Sequence, residues 1–272
     1  MVAELQLHGM PMKKGQVWIG TSNVVVPGNK ASFPEAFRSS SRLHYYARLF
    51  NSVEINSSFY KMPLPSTYGK WEEDVPADFR FTIKLSRDIT HTRDLNYEKL
   101  MIQRFMDSAK GMQQKRGCLL IQFPGKISLD HFEQVEEILY LLEQSDTAHA
   151  WRKAVEFRHS SWFTRETWDM LDEFGAAMVL QDIPKCRMMD CKGNADFVYL
   201  RFHGEKGDYR GSYSNEYLLE KATEINNWLK AGKDVFAYFN NTMGEAFLNA
   251  RYLQQLVNPG LMETVAGSAF DI

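Results

Sequence analysis

The sequence lacks the features that mark secreted and membrane-spanning proteins. It has three cysteines, Cys118, Cys186 and Cys191, an odd number that makes no disulfide framework and suits a reducing compartment. No run of residues approaches the ~20 apolar residues of a membrane-spanning helix. The N-terminal residues lack the apolar core of a signal peptide. Together these absences predict a cytoplasmic protein with no membrane partner.

The sequence also lacks an excess of positive charge. Lysine and arginine total 32 against 34 for aspartate and glutamate, which gives a formal net charge of −2. An overall basic excess is what draws a protein to nucleic acid. The composition therefore gives no support to a nucleic-acid partner, although a local basic site stays open.

What the sequence does contain is a regular alternation of strand and helix patterns. Most segments between the β-rich runs carry apolar residues at helical spacing, but residues 184–196 are too short and polar, and we expect a loop there. The eight runs, each bounded by turn-forming or polar residues, are residues 16–22, 52–58, 80–86, 117–124, 153–159, 176–183, 197–204 and 234–241.

Eight strands alternating with helices predict an α/β fold of one particular kind. In ~250 residues they indicate a single (β/α)8 barrel of the TIM type. The predicted domain spans residues 1–272, with residues 1–15 as an N-terminal extension. An open, doubly wound sheet is the alternative, but "GTSNVVVPG" after the first run is not a dinucleotide-binding motif.

Charged residues occupy one face of several predicted strands. In "KAVEFRH", Val155 and Phe157 share one face of the strand and Glu156 and Arg158 share the other. Such polar residues concentrate in the C-terminal halves of the runs, where barrel enzymes place their active sites. Burying unmatched ions costs several kcal/mol each, so a cluster indicates a site rather than a core. The expected cluster comprises Glu54, Asn56, Lys84, Gln122, Glu156, Arg158, Asp182, Arg201, His203, Tyr238 and Asn240.

Several strings resemble the YecE-like family, catalogued as domain of unknown function 72. They are "IGTS", "VEINSSFY", "FTIKLSRDITH", "AVEFRHSSWF", "YLRFHG" with "YRGSYS", and "YFNN". The resemblance implies a TIM-barrel fold and a pocket, but no reaction. To the inner cluster it adds His91, His159, Tyr209, Arg210 and Tyr213, although His159 is expected to cap its strand.

The sequence departs from the family pattern at two points on the expected rim of the pocket. Asn23 and Val24 follow "GTS", where family members usually have Gly-Trp, and Gly125 replaces the second residue of a Pro-Pro pair. These departures affect the expected contacts of the rim more than those of the inner residues.

The favoured function is that of an enzyme acting on an anionic or phosphorylated small molecule or a nucleic-acid fragment. Glu54 or Glu156 is expected to transfer a proton, and Arg201 to hold an anionic group. A helix start capped by Asn241 or Thr242 would add a phosphate site. The predicted catalytic residues are Glu54, Glu156, Asp182 and His203. The predicted substrate-binding residues are Asn56, Lys84, Gln122, Arg158, Arg201, Tyr209, Arg210, Tyr238 and Asn240.

Two other functions stay open. The four predicted catalytic residues could instead hold a divalent metal, as in barrels of the xylose-isomerase or endonuclease-IV type. No ligand spacing such as HxH supports this, and no cofactor is predicted. The other alternative is a metabolite-binding module without catalysis. The sequence does not indicate an oligomeric state.

Overall fold

The computed structural model describes residues 14–258, in which every predicted run contains a strand. The sixth strand, β6, is formed by two short segments separated at Val179. All pairings between strands are parallel. The strands are β1 (Val17–Thr21), β2 (Ser52–Ile55), β3 (Arg80–Lys84), β4 (Arg116–Phe123), β5 (Arg152–Phe157), β6 (Ala177–Met178 and Leu180–Gln181), β7 (Phe197–Phe202) and β8 (Asp234–Phe239).

Helices separate the strands, with one exception that the sequence predicts. Between β6 and β7 the described chain forms only the 3-10 turn Pro184–Cys186. No helix of residues 14–258 is long and apolar enough to cross a bilayer. The α-helices are α1 (Arg42–Leu49), α2 (Ser57–Tyr60), α3 (Pro65–Glu73), α4 (Arg87–Thr90), α5 (Leu100–Ala109), α6 (Phe132–Ser145), α7 (Arg165–Glu173), α8 (Asn215–Lys230) and α9 (Ala246–Val257).

The ends of α8 follow from local sequence signals. The Ser214 hydroxyl accepts a hydrogen bond from the Tyr217 amide at 3.2 Å, which caps the first turn. After the helix, Gly232 takes a φ of +84°, a left-handed conformation that glycine adopts without strain. Between these signals Leu218 and Ile225 are buried in the core. The helix predicted from this stretch is therefore confirmed.

The start of α9 was predicted wrongly. The expected cap at Asn241 or Thr242 is not formed, and the helix begins at Ala246. The physical reason is that the loop after β7 binds the preceding residues: the Met243 amide donates to Tyr209 O, and the Glu245 amide donates to Gly211 O, both at 3.0 Å. These amides are therefore bound to the loop after β7 and do not take part in an earlier start of the helix.

The backbone ladder forms two parallel sheets instead of one continuous ring. One sheet has the order β1–β8–β7 followed by the second segment of β6, and the other runs from β2 to the first segment of β6. The α/β class with parallel strands is thus confirmed, whereas a closed eight-stranded ladder is not formed by the described residues. The break in β6 follows Met178, and beyond it Gln181 pairs with Arg201 of β7.

Side chains join the two sheets where the ladder is missing between β1 and β2. The Asn51 amide group accepts from the Ile19 N–H at 2.9 Å and donates to Val17 O at 2.8 Å. The Tyr46 hydroxyl accepts from the Thr21 amide and donates to Ser52 O. These two side chains satisfy backbone groups that a neighbouring strand would otherwise bind.

The strand faces predicted from the two-residue period are confirmed. Val155 and Phe157 belong to the large core shared with the helices, whereas Glu156 faces inward. The inner faces are apolar at the N-terminal ends of the strands, where Trp18 stacks on Phe236 with ring centroids 4.7 Å apart. This inner apolar cluster also includes Cys118, Leu120, Ala154, Ala177, Val179, Phe197, Tyr199 and Tyr238. The charged groups therefore lie above an apolar floor.

Asn23, the first departure from the family pattern, occupies a strained turn between β1 and β2. Its φ is +63°, and its side-chain oxygen accepts a hydrogen bond from the Asn56 amide at 3.1 Å. We expect Asn23→Ala to lower the free energy of unfolding by about 1–2 kcal/mol, because alanine tolerates a left-handed conformation poorly. Asn23→Gly should cost less, since glycine adopts this φ freely. Urea unfolding of both variants measures this, and an alanine variant as stable as the glycine variant would contradict it.

Candidate functional site

Arg201 of β7 lies at the centre of a buried ion network. Its guanidinium binds both oxygens of Glu54, with Nε donating to Oε2 at 2.9 Å and Nη2 donating to Oε1 at 2.7 Å. Its Nη1 donates to Oε2 of Glu156 at 2.5 Å. Ser22 and Tyr199 complete the bonding of Glu54, at 2.6 and 2.7 Å. All these side chains are buried, and Arg201 is the cation that the two carboxylates share.

Arg158 continues the network toward the rim. Its Nε donates to Oε1 of Glu156, and its Nη2 lies 3.0 Å from Nε2 of His203. The Tyr209 hydroxyl accepts from Nη1 at 3.3 Å. The Arg158 side chain is 16% exposed, against 1% for Arg201. Of these two guanidiniums, Arg158 is the one that a solute can reach.

His203 is held between Arg158 and Asp182. Oδ1 of Asp182 accepts from the His203 amide at 2.8 Å and lies 3.3 Å from Nδ1 of the ring. The Tyr213 hydroxyl donates to Oδ2 of Asp182 and accepts from the Gly204 amide. Because an arginine can only donate, Nε2 of His203 must be the acceptor. The network therefore assigns the ring proton to Nδ1, on the side of Asp182.

Lys84 of β3 lies beside this network without joining it. Its Nζ donates to Oε1 of Gln122 at 2.9 Å and lies 4.1 Å from the centre of the Phe59 ring. His91 contacts the same ring edge-on, with centroids 4.8 Å apart. Lys84 thus has a neutral oxygen and an aromatic face as its nearest partners.

The electrostatics of the site keep both inner glutamates ionised. Burial alone would raise the pKa of Glu156, but Arg158 and Arg201 hold it well below its usual range. Glu54 responds in the same way, because burial is outweighed by Arg201, and its pKa is also lowered. A carboxylate held in this form is a poor proton carrier at neutral pH. The geometry favours an ion-pair role for Glu54 and Glu156 over the predicted proton transfer.

Three other groups have pKa values shifted toward the neutral form. Burial, followed by the charge of Arg201, lowers the pKa of Lys84 to about 8. Burial and Lys84 lower the pKa of His91 to about 4. Burial also lowers the pKa of His203, despite the opposing effect of Asp182. Both histidines are therefore neutral near pH 7.

The structure brings most of the predicted residues together, but not all in the predicted role. Arg201 has its guanidinium occupied by two carboxylates, so it is not available to hold a ligand as expected. Tyr238 is fully buried at the floor, and its hydroxyl contacts Ser52 at 2.5 Å and Thr82 at 2.9 Å. Asn56 and Asn240 lie half-buried at the ends of β2 and β8, and Arg210 is exposed.

The two histidines that the family resemblance adds to the predicted site differ in their surroundings. His159 was expected to cap its strand, but its ring caps the 3-10 turn that follows, where it accepts a hydrogen bond from the Ser161 amide at 3.3 Å. His91 lies half-buried next to Phe59 and Thr90. Gly125, the second departure from the family pattern, lies against Arg158, where an added Cβ would be 3.2 Å from the Arg158 carbonyl oxygen.

Three residues of the network, and one buried residue beside it, were missed or left out of the predicted site. Ser22 and Tyr199 bind Glu54, and Tyr213 binds Asp182. Gln181 is absent from the predicted site, yet it is buried and pairs in register with Arg201, and its side-chain amide donates to Phe157 O at 2.6 Å. The two-residue period carried a signal for Tyr199, which shares the face of Arg201.

The carboxylates of the site do not fit a metal centre. In residues 14–258, no three His, Cys, Asp or Glu side chains are grouped so as to hold a metal ion. Each oxygen of Glu54, Glu156 and Asp182 already accepts a hydrogen bond from a nitrogen or hydroxyl donor of the chain. Guanidinium groups already bind the glutamate oxygens that a metal ion would need as ligands.

Comparison with known proteins matches nearly the whole chain to one family. The sequence model of the family described as "Protein of unknown function DUF72" matches residues 18–268. The UPF0759 protein YecE of Escherichia coli K12 is 32% identical over 82 residues, so the chain covers only 30% of the length of that relative. The UPF0759 protein YunF of Bacillus subtilis is 24% identical over 261 residues, covering 83% of this chain and 90% of YunF.

Solved structures share the fold. A DUF72 family protein from Enterococcus faecalis superposes with a TM-score of 0.75 at 20% identity, covering 89% of this chain and 96% of that chain. A fusion protein with a xylose isomerase-like TIM barrel gives a TM-score of 0.51 at 13% identity, covering 95% of this chain and 46% of that chain. At such identities the likeness extends to the fold alone.

Proposed function

The chain belongs to the DUF72 family of proteins of unknown function, and from that premise we propose that it is an enzyme that binds an anionic small molecule and transfers a proton through His203. The site lies at the carboxyl ends of the strands. We also propose that the two sheets act as one TIM-type barrel around it, because the Asn51 and Tyr46 side chains join β1 to β2.

The observation that carries the proposal is the orientation of His203. Its Nδ1–H faces Asp182, and its Nε2 lone pair faces Arg158 at 3.0 Å. A neutral imidazole oriented by a carboxylate is the usual form of a general base. Asp182 is itself fixed by Tyr213 and by the His203 amide. His203 is thus held in the tautomer that can accept a proton on Nε2.

Arg158 gives the proposal its link to an anionic ligand. It covers Nε2 of His203 and is partly exposed, whereas Arg201 is enclosed. An anion that takes up the N–H groups of Arg158 would draw the guanidinium away from the ring and free the Nε2 lone pair. Binding of the ligand and activation of the base are then the same event.

The test begins with anion binding. Inorganic phosphate and a set of small phosphate esters are expected to raise the melting temperature by several degrees at saturation, because ligand at 100 times its dissociation constant adds about 2.7 kcal/mol. Arg158→Gln should abolish the shift. Arg165→Gln is the matched control, since Arg165 is exposed on α7 and its salt bridge to Asp169, at 3.6 Å, is exposed as well. Equal shifts in both variants would contradict the assignment of Arg158.

Catalysis is tested with whichever ester binds. The wild-type protein should convert it, as followed by phosphorus NMR, and His203→Gln should bind it but turn it over about 10²–10⁴ times more slowly. A metabolite-binding module is the second candidate, favoured by the fact that Glu54 and Glu156 are both locked in ion pairs. Tight binding without conversion by the wild type would select that function.

A further inference from the structure

Lys84 differs from the other cations of the site in its partners. Its Nζ contacts the neutral Gln122 oxygen and the Phe59 ring. Within residues 14–258, no carboxylate oxygen lies within 4.0 Å of that nitrogen. The side chain is half-buried at the end of β3, where the other strands also end. An amine that is not held in an ion pair can react as a nucleophile, whereas an ammonium bound to a carboxylate has no free lone pair.

Burial and the two nearby arginines favour the neutral form of Lys84, and they outweigh the opposing charges of Glu156 and Glu54. The glutamates that could stabilise an ammonium are occupied, Glu54 by Arg201 and Glu156 by both arginines. Burial and the like charge of Arg201 lower the pKa of Lys84 to about 8. At pH 7.5 about a quarter of such amines are neutral, against roughly one in a thousand for an ordinary lysine.

We propose that Lys84 is a nucleophile that forms an imine with a carbonyl compound bearing a phosphate or carboxylate group. This inference rests on the proposed function, since Arg158 would hold the anionic group. It adds to that function the class of substrate, an oxo acid or a phosphorylated aldehyde or ketone. Lysines made neutral by burial or by a neighbouring cation are the ones that perform this reaction.

The reaction is balanced without any further reagent. The Nζ lone pair attacks the carbonyl carbon, a C–N bond forms, and the carbonyl π electrons move to oxygen, which takes a proton. The resulting hydroxyl group takes the second of the two protons that nitrogen gives up and leaves as water, while the nitrogen lone pair forms the C=N bond. The sum is amine plus carbonyl compound giving imine plus water. One N–H of Lys84 bonded to Gln122 fixes the direction of the lone pair during the attack.

The experiment uses two aldehydes that differ in charge. The full chain is treated at pH 7.5 with propanal or with pyridoxal 5′-phosphate, each with cyanoborohydride, which reduces an imine to a stable amine. Peptide mass spectrometry then gives the labelling rate of each lysine. Lys61 and Lys126, both exposed near the same end of the strands, are the internal references. Lys84→Arg, checked for folding by circular dichroism, shows which label belongs to position 84.

We expect propanal to label Lys84 about tenfold faster than the two reference lysines. Pyridoxal 5′-phosphate should label it faster still, and inorganic phosphate should slow that reaction. Labelling of Lys84 at or below the reference rate with both aldehydes would overturn the nucleophile, even if phosphate raises the melting temperature as the proposed function requires. Rapid labelling by propanal with no preference for the phosphorylated aldehyde would overturn the anionic substrate class, and with it the anion site of the proposed function.

Discussion

Replacing Arg201 with methionine is expected to lower the free energy of unfolding by about 3–5 kcal/mol, because it leaves two buried carboxylates without their shared cation. Glu54 would keep only Ser22 and Tyr199 as partners, and Glu156 would keep Arg158. A loss of this size is a large share of the stability of an ordinary domain. Urea unfolding at pH 7 measures it.

The same variant has a defined dependence on pH. In the wild type the pKa values of Glu54 and Glu156 are lowered, so their contribution to stability is complete above about pH 5 and is lost as the pH falls below their unfolded values near 4.3. The difference between wild type and Arg201→Met should therefore be largest at neutral pH and shrink on acidification.

Two control variants make this result specific. Arg104→Met removes an arginine whose bond to Glu98 is exposed, at 3.4 Å, and should change stability little. Combining Arg201→Met with Glu54→Gln and Glu156→Gln removes all three charges and should recover part of the loss, since a whole buried ion group is often replaceable. If Arg201→Met is as stable as Arg104→Met, the network does not stabilise the fold.

Replacing Lys84 with methionine is expected to have the opposite sign and to stabilise the protein by about 2 kcal/mol at pH 7. The pKa of Lys84 is lowered from 10.5 to about 8, so the folded state disfavours the ammonium that the unfolded chain carries. Methionine has a similar shape and no charge to bury, although it leaves Gln122 without its donor. Thermal and urea unfolding of the two proteins measure the difference.

The pH dependence of the Lys84→Met effect identifies its cause. Between the folded pKa near 8 and the unfolded value of 10.5, the unfolded state binds more protons than the folded state, so wild-type stability rises with pH across this window. The advantage of methionine should be full below pH 8 and vanish above about pH 10.5. A constant difference would mean that packing, not the charge, sets the result. Residues of functional sites commonly lower the stability of the folded protein in this way.

The faces of the strands could be predicted from the sequence, but the partners of each charge could not. In β5 and β7 the two-residue period places Glu156, Arg158, Arg201 and His203 inward, and the structure agrees. The period states only which side of a strand a residue occupies. It does not say which neighbour it meets across the interior. Arg201 was therefore expected to bind a ligand, whereas Glu54 and Glu156 occupy it.

Two local features also lay beyond the pattern. By the two-residue period Asp182 shares the outward side of β6 with Met178 and Leu180, yet it lies beyond the strand end and its carboxylate binds the His203 amide. The late start of α9 depends on amides bound by the loop after β7. Both result from contacts between segments distant in the chain, which a periodicity within one segment does not record.

The pairing of β1 has a consequence for how the chain folds during its synthesis. Every ladder partner of β1 lies in β8, from Val17 opposite Val235 to Thr21 opposite Phe239. At 5–20 residues per second, a ribosome needs on the order of 10–40 s to make the ~200 residues between these strands. At its other edge β1 is bound by the side chains of Asn51 and Tyr46, which follow it within ~35 residues and are therefore made soon after it. We therefore expect these two side chains to bind the exposed backbone of β1 during synthesis, until β8 is made and pairs with it.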